Sequence, residues 1–168
     1  LLRGLRVVLD YPGRRITFAP PGGPSPGPAA DAPMRLEGNR LVVEAALPGG
    51  SRRAMILDTA AGTTFLAEAD ASLTGDASAG RTTQVIDSSG TAVSLPVRIL
   101  PSLAFGGVEA AEVPVVLYDF APLNRDLFSG AAEPVAGILG SDLLSRHIVV
   151  LDFPRRAFGV AAPAAPAP

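Results

Sequence analysis

Short apolar runs separated by glycine and proline fill most of this chain. The 168 residues include 18 Gly and 17 Pro, which fall between the apolar runs. This punctuation favours many short strands over long helices. We therefore predict an all-β fold, a closed β-barrel, with one short C-terminal helix at Ser141–Arg146. Asp142 lies in the first turn of that helix, where the helix dipole favours a carboxylate.

The apolar runs form four predicted pairs of strands around turns of glycine, proline or polar residues. Pro48-Gly49-Gly50 joins the first pair, and Asp87-Ser88-Ser89-Gly90 joins the second. The pairs are Leu41–Leu47 with Arg53–Asp58, Thr82–Ile86 with Thr91–Ile99, Leu103–Phe105 with Val113–Leu117, and Ile148–Phe153 with Ala157–Val160.

Two segments rich in proline and small residues bound the predicted core. Residues 20–33 (PPGGPSPGPAADAP) are predicted to be a stiff, solvated linker without core residues. Residues 162–168 are predicted to be an extended Ala/Pro tail. Residues 34–161 between them form the predicted main domain.

One internal repeat links the two ends of the chain. Residues 1–19 align without gaps to residues 143–161, and both segments contain a Val-Val-Leu-Asp run followed by an aromatic residue and proline. We interpret residues 1–19 as the C-terminal hairpin of a preceding homologous lobe, or as interface strands. The alternative is that two hairpins with proline turns became similar through composition alone.

The composition excludes several kinds of ligand and catalytic site. The net charge of −2 offers no electrostatic basis for binding nucleic acid or an anionic membrane. No cysteine is present, and the single histidine, His147, cannot build a histidine metal site and leaves little room for a Ser-His triad. We interpret His147 as a structural surface residue. No apolar run approaches the roughly 20 residues that span a bilayer.

The segment Ala54–Leu66 carries the strongest chemical signal. An apolar strand ends in Asp58, and small residues follow before the chain becomes apolar again. A carboxylate at the end of a buried strand needs hydrogen bonds, and small neighbours let backbone N–H groups approach it. We predict that Asp58 is partly buried and accepts N–H bonds from the Ala60–Gly62 loop. An ordinary aspartate at a strand exit is the alternative.

A second segment, Ala136–Leu144, makes the order of motifs distinctive. It contains Ile138-Leu139-Gly140 before the predicted helix and is followed by the Val149–Arg156 hairpin. An Asp-Thr motif after an apolar strand, then a hairpin, then an apolar pair with glycine resembles the retropepsin-like aspartic peptidases of bacterial type. The resemblance covers about residues 36–160.

The resemblance implies a role for each motif. Asp58 would be the catalytic aspartate, Thr59 would form a hydroxyl bond between lobes, and Ala60 stands where the family has glycine. The Thr82–Ile99 hairpin would be a flap over the substrate, and the apolar pair and its glycine would pack beneath the active loop. The flap residues expected to bind substrate are Ile86, Asp87, Ser88, Ser89 and Gly90, and the supporting residues are Ile138, Leu139 and Gly140. Asp10 and Asp152, before turns, are interpreted as structural.

The implied function is that of an aspartic endopeptidase lobe acting on a peptide or protein substrate without metal or other cofactor. The second aspartate would come from an identical chain or from an upstream lobe. Ala60 favours an alternative, a catalytically impaired module for peptide binding or dimerisation. A carbohydrate-binding or structural β-domain is a third possibility. The sequence leaves the compartment open, with export to the periplasm as one option.

Overall fold

Twelve β-strands and two short α-helices make up the described part of the chain. The computed structural model describes residues 2–20, 27, 29–75, 81–86, 90–131 and 133–162. The strands are β1 Arg6–Asp10, β2 Arg15–Ala19, β3 Ala32–Glu37, β4 Arg40–Ala46, β5 Arg52–Leu57, β6 Phe65–Ala67, β7 Thr82–Ile86, β8 Ala92–Phe105, β9 Val108–Tyr118, β10 Val135–Leu139, β11 Ile148–Asp152 and β12 Ala157–Ala161, and the helices are α1 Ala121–Leu127 and α2 Ser141–Leu144.

Six of the strands close into a barrel. They follow the order β4-β5-β10-β6-β9-β8, and β8 pairs back onto β4 through Ala45 opposite Phe105. Strand β10 runs parallel to β5, and β6 runs parallel to β9, whereas the other pairs are antiparallel. The predicted all-β closed barrel is therefore confirmed.

The barrel interior holds one continuous apolar core. The side chains of Leu100, Leu103, Leu139 and Leu144 are fully buried in it, together with Phe158 from β12. Each such side chain contributes about 1.5–3 kcal/mol of transfer free energy when it leaves water. Because β10 and α2 supply two of these residues, the core fixes the segment that lies behind the Asp58 loop.

The helix α1 covers a second, smaller core and was not among the predicted elements. Phe120 and Phe128 flank this helix and pack with Ile56 and Val135. The Asn124 side chain bonds both backbone groups of Val135, at 2.8 Å each. The signal for the helix was Asp119, which accepts a 2.9 Å bond from the Ala121 N–H, with a proline in the first turn.

Five more strands extend the sheet from β4 in the order β3-β12-β11-β1-β2. Strand β3 starts at Ala32, so the predicted linker of residues 20–33 ends earlier than expected. Ala30 is 1% exposed, which corrects the expectation that the linker holds no core residue. Residues 21–26 and 28 of the linker and 163–168 of the tail lie outside the described residues.

The strand prediction was wrong about β8 in one respect. Thr91–Ile99 and Leu103–Phe105 were predicted as separate strands, but β8 runs continuously from Ala92 to Phe105. The predicted helix at Ser141–Arg146 is present as α2, which ends at Leu144. Within the described ranges, no helix has the length and apolar character needed to cross a bilayer.

Candidate active site

Asp58 stands at the first position after β5, at the start of the loop that leads to β6. Its Oδ1 accepts hydrogen bonds from the backbone N–H groups of Ala60, at 2.9 Å, and Ala61, at 3.3 Å. The residue is half-buried. The sequence analysis predicted this partial burial of Asp58 and its hydrogen bonds from the following loop, so both features are confirmed. The carboxylate is thus held by the backbone while the side chain remains accessible.

Strand β10 lies between β5 and β6 and supports this loop from behind. The Asp58 N–H donates to the Leu139 carbonyl at 3.1 Å. Ser141 donates twice to the Ala61 carbonyl, from its N–H at 2.7 Å and from its hydroxyl at 2.9 Å. Ile138 and Leu139 lie opposite Ile56 and Leu57 in the parallel pair. The segment 138–141 therefore binds the Asp58 loop through backbone groups and the Ser141 hydroxyl.

Gly140 lies at the tightest contact between the two segments. A Cβ atom at this position would lie 2.5 Å from the Thr63 carbonyl oxygen. Its φ of −89° is open to any residue, so glycine is needed here for space and not for backbone conformation. The glycine N–H donates to the Thr64 hydroxyl at 3.1 Å.

A buried network between Thr64 and Asp142 locks the far end of the loop, and the sequence analysis missed it. Thr64 is fully buried and donates to the Asp142 carboxylate from its hydroxyl, at 2.8 Å, and from its N–H, at 3.1 Å. The Leu143 N–H donates to the same carboxylate at 2.9 Å. Asp142 therefore joins α2 to the active loop, beyond its predicted place in the helix dipole.

Thr59 and Ala60, the other two predicted catalytic-loop residues, are exposed beside Asp58. Among the described residues, the non-glycine positions with positive φ are Arg14, Glu112 and Arg156. Ala60 is therefore accommodated without the left-handed strain that a glycine position can impose on an L-residue.

The predicted flap is the hairpin of β7 and the first part of β8. Strand β7 ends the sheet and, in the described part of the chain, pairs with β8 alone. Of the predicted tip, Ile86 is 73% exposed, and Gly90 is exposed with a φ of 84°. Asp87, Ser88 and Ser89 lie outside the described residues. The structure thus places the hairpin as predicted and describes two of its five proposed contact residues.

A cleft of about 270 Å³ runs between the active loop and the base of this hairpin. Its lining includes Gly62 and Thr63 from the loop, Arg81–Thr83 from the hairpin base, and Asp142 and Arg146 from the α2 region. The charged side chains of the lining are two arginines and the Asp142 carboxylate, so the cleft carries a net positive formal charge. Among the described residues, no group of three or more histidine or acidic side chains is placed to hold a metal ion.

Other predicted structural residues lie away from this site. Asp152 is buried and forms an ion pair with Arg6 at 3.1 Å, whereas Asp10 binds the exposed Arg15 at 3.3 Å. His147 is half-buried, its Nδ1 lies 3.0 Å from the Leu143 carbonyl oxygen, and its ring contacts Phe105 edge-on. At the start of β5, the hydrogen-bonded Asp70 raises the pKa of the Arg53 guanidinium above its ordinary value.

Comparison with known proteins settles the family. A family model described as "Aspartyl protease" matches residues 43–143, which are more than half of the chain and include both the Asp58 loop and α2. The chain belongs to the aspartyl protease family. This confirms the resemblance to aspartic peptidases that the order of motifs indicated.

One solved structure similar to this aspartyl protease chain is a retropepsin-like aspartic protease from Rickettsia conorii. The two share 14% sequence identity, and the similarity covers 80% of this chain and 93% of the other. The TM-score is 0.44, so the family assignment rests on the family model. No curated protein sequence matches the chain significantly.

Proposed function

We propose that this chain is one lobe of an aspartic endopeptidase and that Asp58 supplies one of its two catalytic carboxylates. The observation that supports this most is the Asp58 carboxylate itself. It is held by two backbone N–H groups, on a loop that β10 and α2 support from behind, and it remains partly exposed. A carboxylate that is fixed but accessible can bind and activate a water molecule.

The proposed chemistry needs two carboxylates that share one proton. Two such groups about 3 Å apart cannot both ionise, so one serves as base and the other as acid. The base takes a proton from water, which attacks the scissile carbonyl carbon, and the acid protonates the carbonyl oxygen. The former acid then takes a proton from one hydroxyl of the tetrahedral intermediate while the former base protonates the leaving nitrogen, and the C–N bond breaks to release the two peptide fragments.

The partner carboxylate must come from a second lobe, either in an identical chain or in the same polypeptide. The carboxylate of Asp142, in α2, already accepts hydrogen bonds from Thr64 and Leu143, so it does not serve as this partner. Thr59 is exposed beside Asp58, where its hydroxyl can reach a second lobe. The extended substrate would pair with the flap hairpin, whose free edge is β7.

Replacing Asp58 with asparagine tests the proposal. The amide is isosteric but can neither act as base nor share the proton, so cleavage of an extended-peptide library should fall at least about a hundredfold. Asp126→Asn, at an exposed aspartate of α1, is the matched control and should cleave like the wild type. Thermal unfolding of both variants should match the wild type. Undiminished cleavage by Asp58→Asn would remove this residue from the mechanism.

Ala60 favours a second function, a peptide-binding or dimerisation module that has lost catalysis. Ala60 does not have a positive φ, so its backbone conformation imposes no strain on an alanine, and the proposed cause of lost catalysis is crowding by its Cβ against the second lobe or the substrate. In an assay that contains both lobes, absence of wild-type cleavage from about pH 3 to 7, the range over which a carboxylate pair holds one proton, would favour the binding module. Cleavage that appears in Ala60→Gly would then identify alanine as the cause.

A further inference from the structure

Residues 2–19 and 144–161 fold into the same unit, strand for strand. In the first hairpin Arg6 lies opposite Ala19, and in the second the equivalent Ile148 lies opposite Ala161. The short turns before the two hairpins are also alike. The Leu5 N–H donates to the Leu2 carbonyl at 2.9 Å, and the equivalent His147 N–H donates to Leu144 at 3.0 Å.

The two hairpin turns share their hydrogen bonds and an uncommon backbone conformation. Asp10 accepts a bond from the Gly13 N–H at 2.8 Å, and Asp152 accepts one from the Arg155 N–H at 3.1 Å. The next residue in each turn, Arg14 or Arg156, has a positive φ of 50° or 52°. Similar composition alone does not require two non-glycine residues to adopt the same left-handed conformation at the same place.

The two units pair with each other about a local two-fold axis. Strand β1 is antiparallel to β11, and Val8 lies opposite Val150. These valines are equivalent positions of the repeat, and the register lets all five residues of β1 pair with all five residues of β11 about this central pair. The sheet order β2-β1-β11-β12 therefore reads the same from both ends.

One contact breaks this symmetry and indicates that the partners are not identical. Arg6 lies opposite Asp152 and forms a buried ion pair with it, each side chain being 8% exposed. The symmetry-related pair is Asp10 opposite Ile148, which has no cation. If β11 paired with a second β11, Asp152 would face an isoleucine and lose its arginine, at a large cost for a buried charge.

We propose that the edge of β11 is the docking edge for a homologous but non-identical lobe, and that residues 1–19 are the terminal hairpin of that lobe. The axis through Val8 and Val150 then relates the two lobes, and Arg6 selects the hetero pairing over pairing of two identical hairpins. If the proposed function holds, the same axis relates Asp58 to its partner aspartate. An Asp-Thr/Ser-Gly motif is then expected as far upstream of Val8 as Asp58 lies upstream of Val150.

Association of the two parts after cleavage of the linker tests this without any activity assay. A specific protease site is placed within residues 21–26 of the whole natural polypeptide, before the buried Ala30 and the start of β3, and the linker is cut after folding. The two pieces should co-elute as a 1:1 complex, with the N-terminal piece large enough to be a lobe. Separation of the pieces on cutting, or an N-terminal piece without a folded lobe, would overturn the proposal.

Arg6→Ala should weaken the cut complex at least about tenfold, because it leaves Asp152 buried and unpaired. Arg15→Ala is the matched control, since this arginine lies in the same hairpin and its side chain is 73% exposed. It should change the affinity less than about twofold. Equal effects of the two variants would contradict a selective role for Arg6.

A disulfide measurement covers the case in which Arg6→Ala fails to fold. Val8→Cys with Val150→Cys should cross-link, because directly opposite residues of antiparallel strands lie within disulfide reach. Val150→Cys alone should remain a monomer under oxidation if identical hairpins do not pair. A disulfide-linked dimer of the Val150→Cys single variant would show that the partner is a second copy, and the proposed hetero pairing would be wrong.

Discussion

Thr64 and Asp142 set the position of the active loop. They are 78 positions apart in the sequence, and their side chains are hydrogen-bonded. The threonine hydroxyl accepts from Gly140 and donates to Asp142, so a single chain of hydrogen bonds crosses from β10 to α2. Such a chain resists rotation of the loop because each member has a partner on both sides. Asp142 is therefore a positioning residue, distinct from the proposed catalytic Asp58.

Asp142→Ala should destabilise the fold by about 1.5–3 kcal/mol, the range for hydrogen bonds to a charged group. The fully buried Thr64 would keep a hydroxyl and an N–H without an acceptor. Asp142→Asn should cost less, because the amide oxygen can still accept one of these bonds. Chemical denaturation measures both, with the exposed Asp126→Ala as a control that should change little. A control that lost as much stability as Asp142→Ala would refute the assignment.

At this scale the sequence indicated Asp58 and its backbone hydrogen bonds, but not the Thr64–Asp142 network. The first depends on residues next to one another, namely an apolar strand, an aspartate and small neighbours. The second depends on how β10 and α2 return to the loop, which no local pattern contains. Ala60 is a related case, because its backbone conformation could be judged only once the loop was seen.

Among the elements, the contact between β10 and the loop after β5 leaves no space at Gly140. Gly140→Ala should cost about 1–3 kcal/mol, the usual penalty of overpacking, because the Thr63 carbonyl must move to admit the methyl group. Gly62→Ala, in the Asp58 loop that Gly140 contacts, is the matched control, since nothing lies within 4 Å of its Cβ position. Thermal unfolding should separate the two variants clearly. Equal melting temperatures of the two variants would mean that the Thr63 carbonyl moves at little cost, and the predicted overpacking would be wrong.

The β7–β8 hairpin should open more readily than the barrel. No residue of β7 is buried, Ile86 is 73% exposed, and Val93 of β8 is 41% exposed. Few buried contacts mean a small free energy of local opening. Amide hydrogen exchange should therefore be much faster in Thr82–Ile86 than in β5 and β10, and a bound peptide should slow it. Protection equal to that of the barrel in the free protein would contradict a flap.

The strand pairs that neighbouring turns define were largely predictable, and long-range or interrupted elements were not. Strand β6 has three residues, too few for a pattern, and β10 contains Gly137 and pairs in parallel with a distant strand. Pro101 lies between the two segments that were predicted as separate strands, and its exposed position lets β8 continue. The helix α1 was missed because its sequence has little apolar periodicity.

For the whole molecule, the dependence of cleavage on concentration distinguishes the two sources of the second carboxylate. If two identical chains combine, the specific activity should fall on dilution as the dimer dissociates. If the partner lobe is part of the same polypeptide, as the β1–β11 pairing supports, the specific activity should stay constant. The barrel holds Asp58, and the sheet formed by the two hairpins would, under the proposal above, align the two lobes.

The pH profile of cleavage should be bell-shaped with its optimum in acid to near-neutral solution. As pH rises, the shared proton is lost and no acid remains, and as pH falls, both carboxylates are protonated and no base remains. Initial rates from about pH 3 to 7 cover this range of a coupled carboxylate pair. Thermal unfolding at each pH separates loss of catalysis from loss of fold. Asp58→Asn should abolish the bell and not merely shift it, because one carboxylate cannot share a proton with an amide. A residual activity with the same optimum in that variant would show that the titrating pair does not include Asp58.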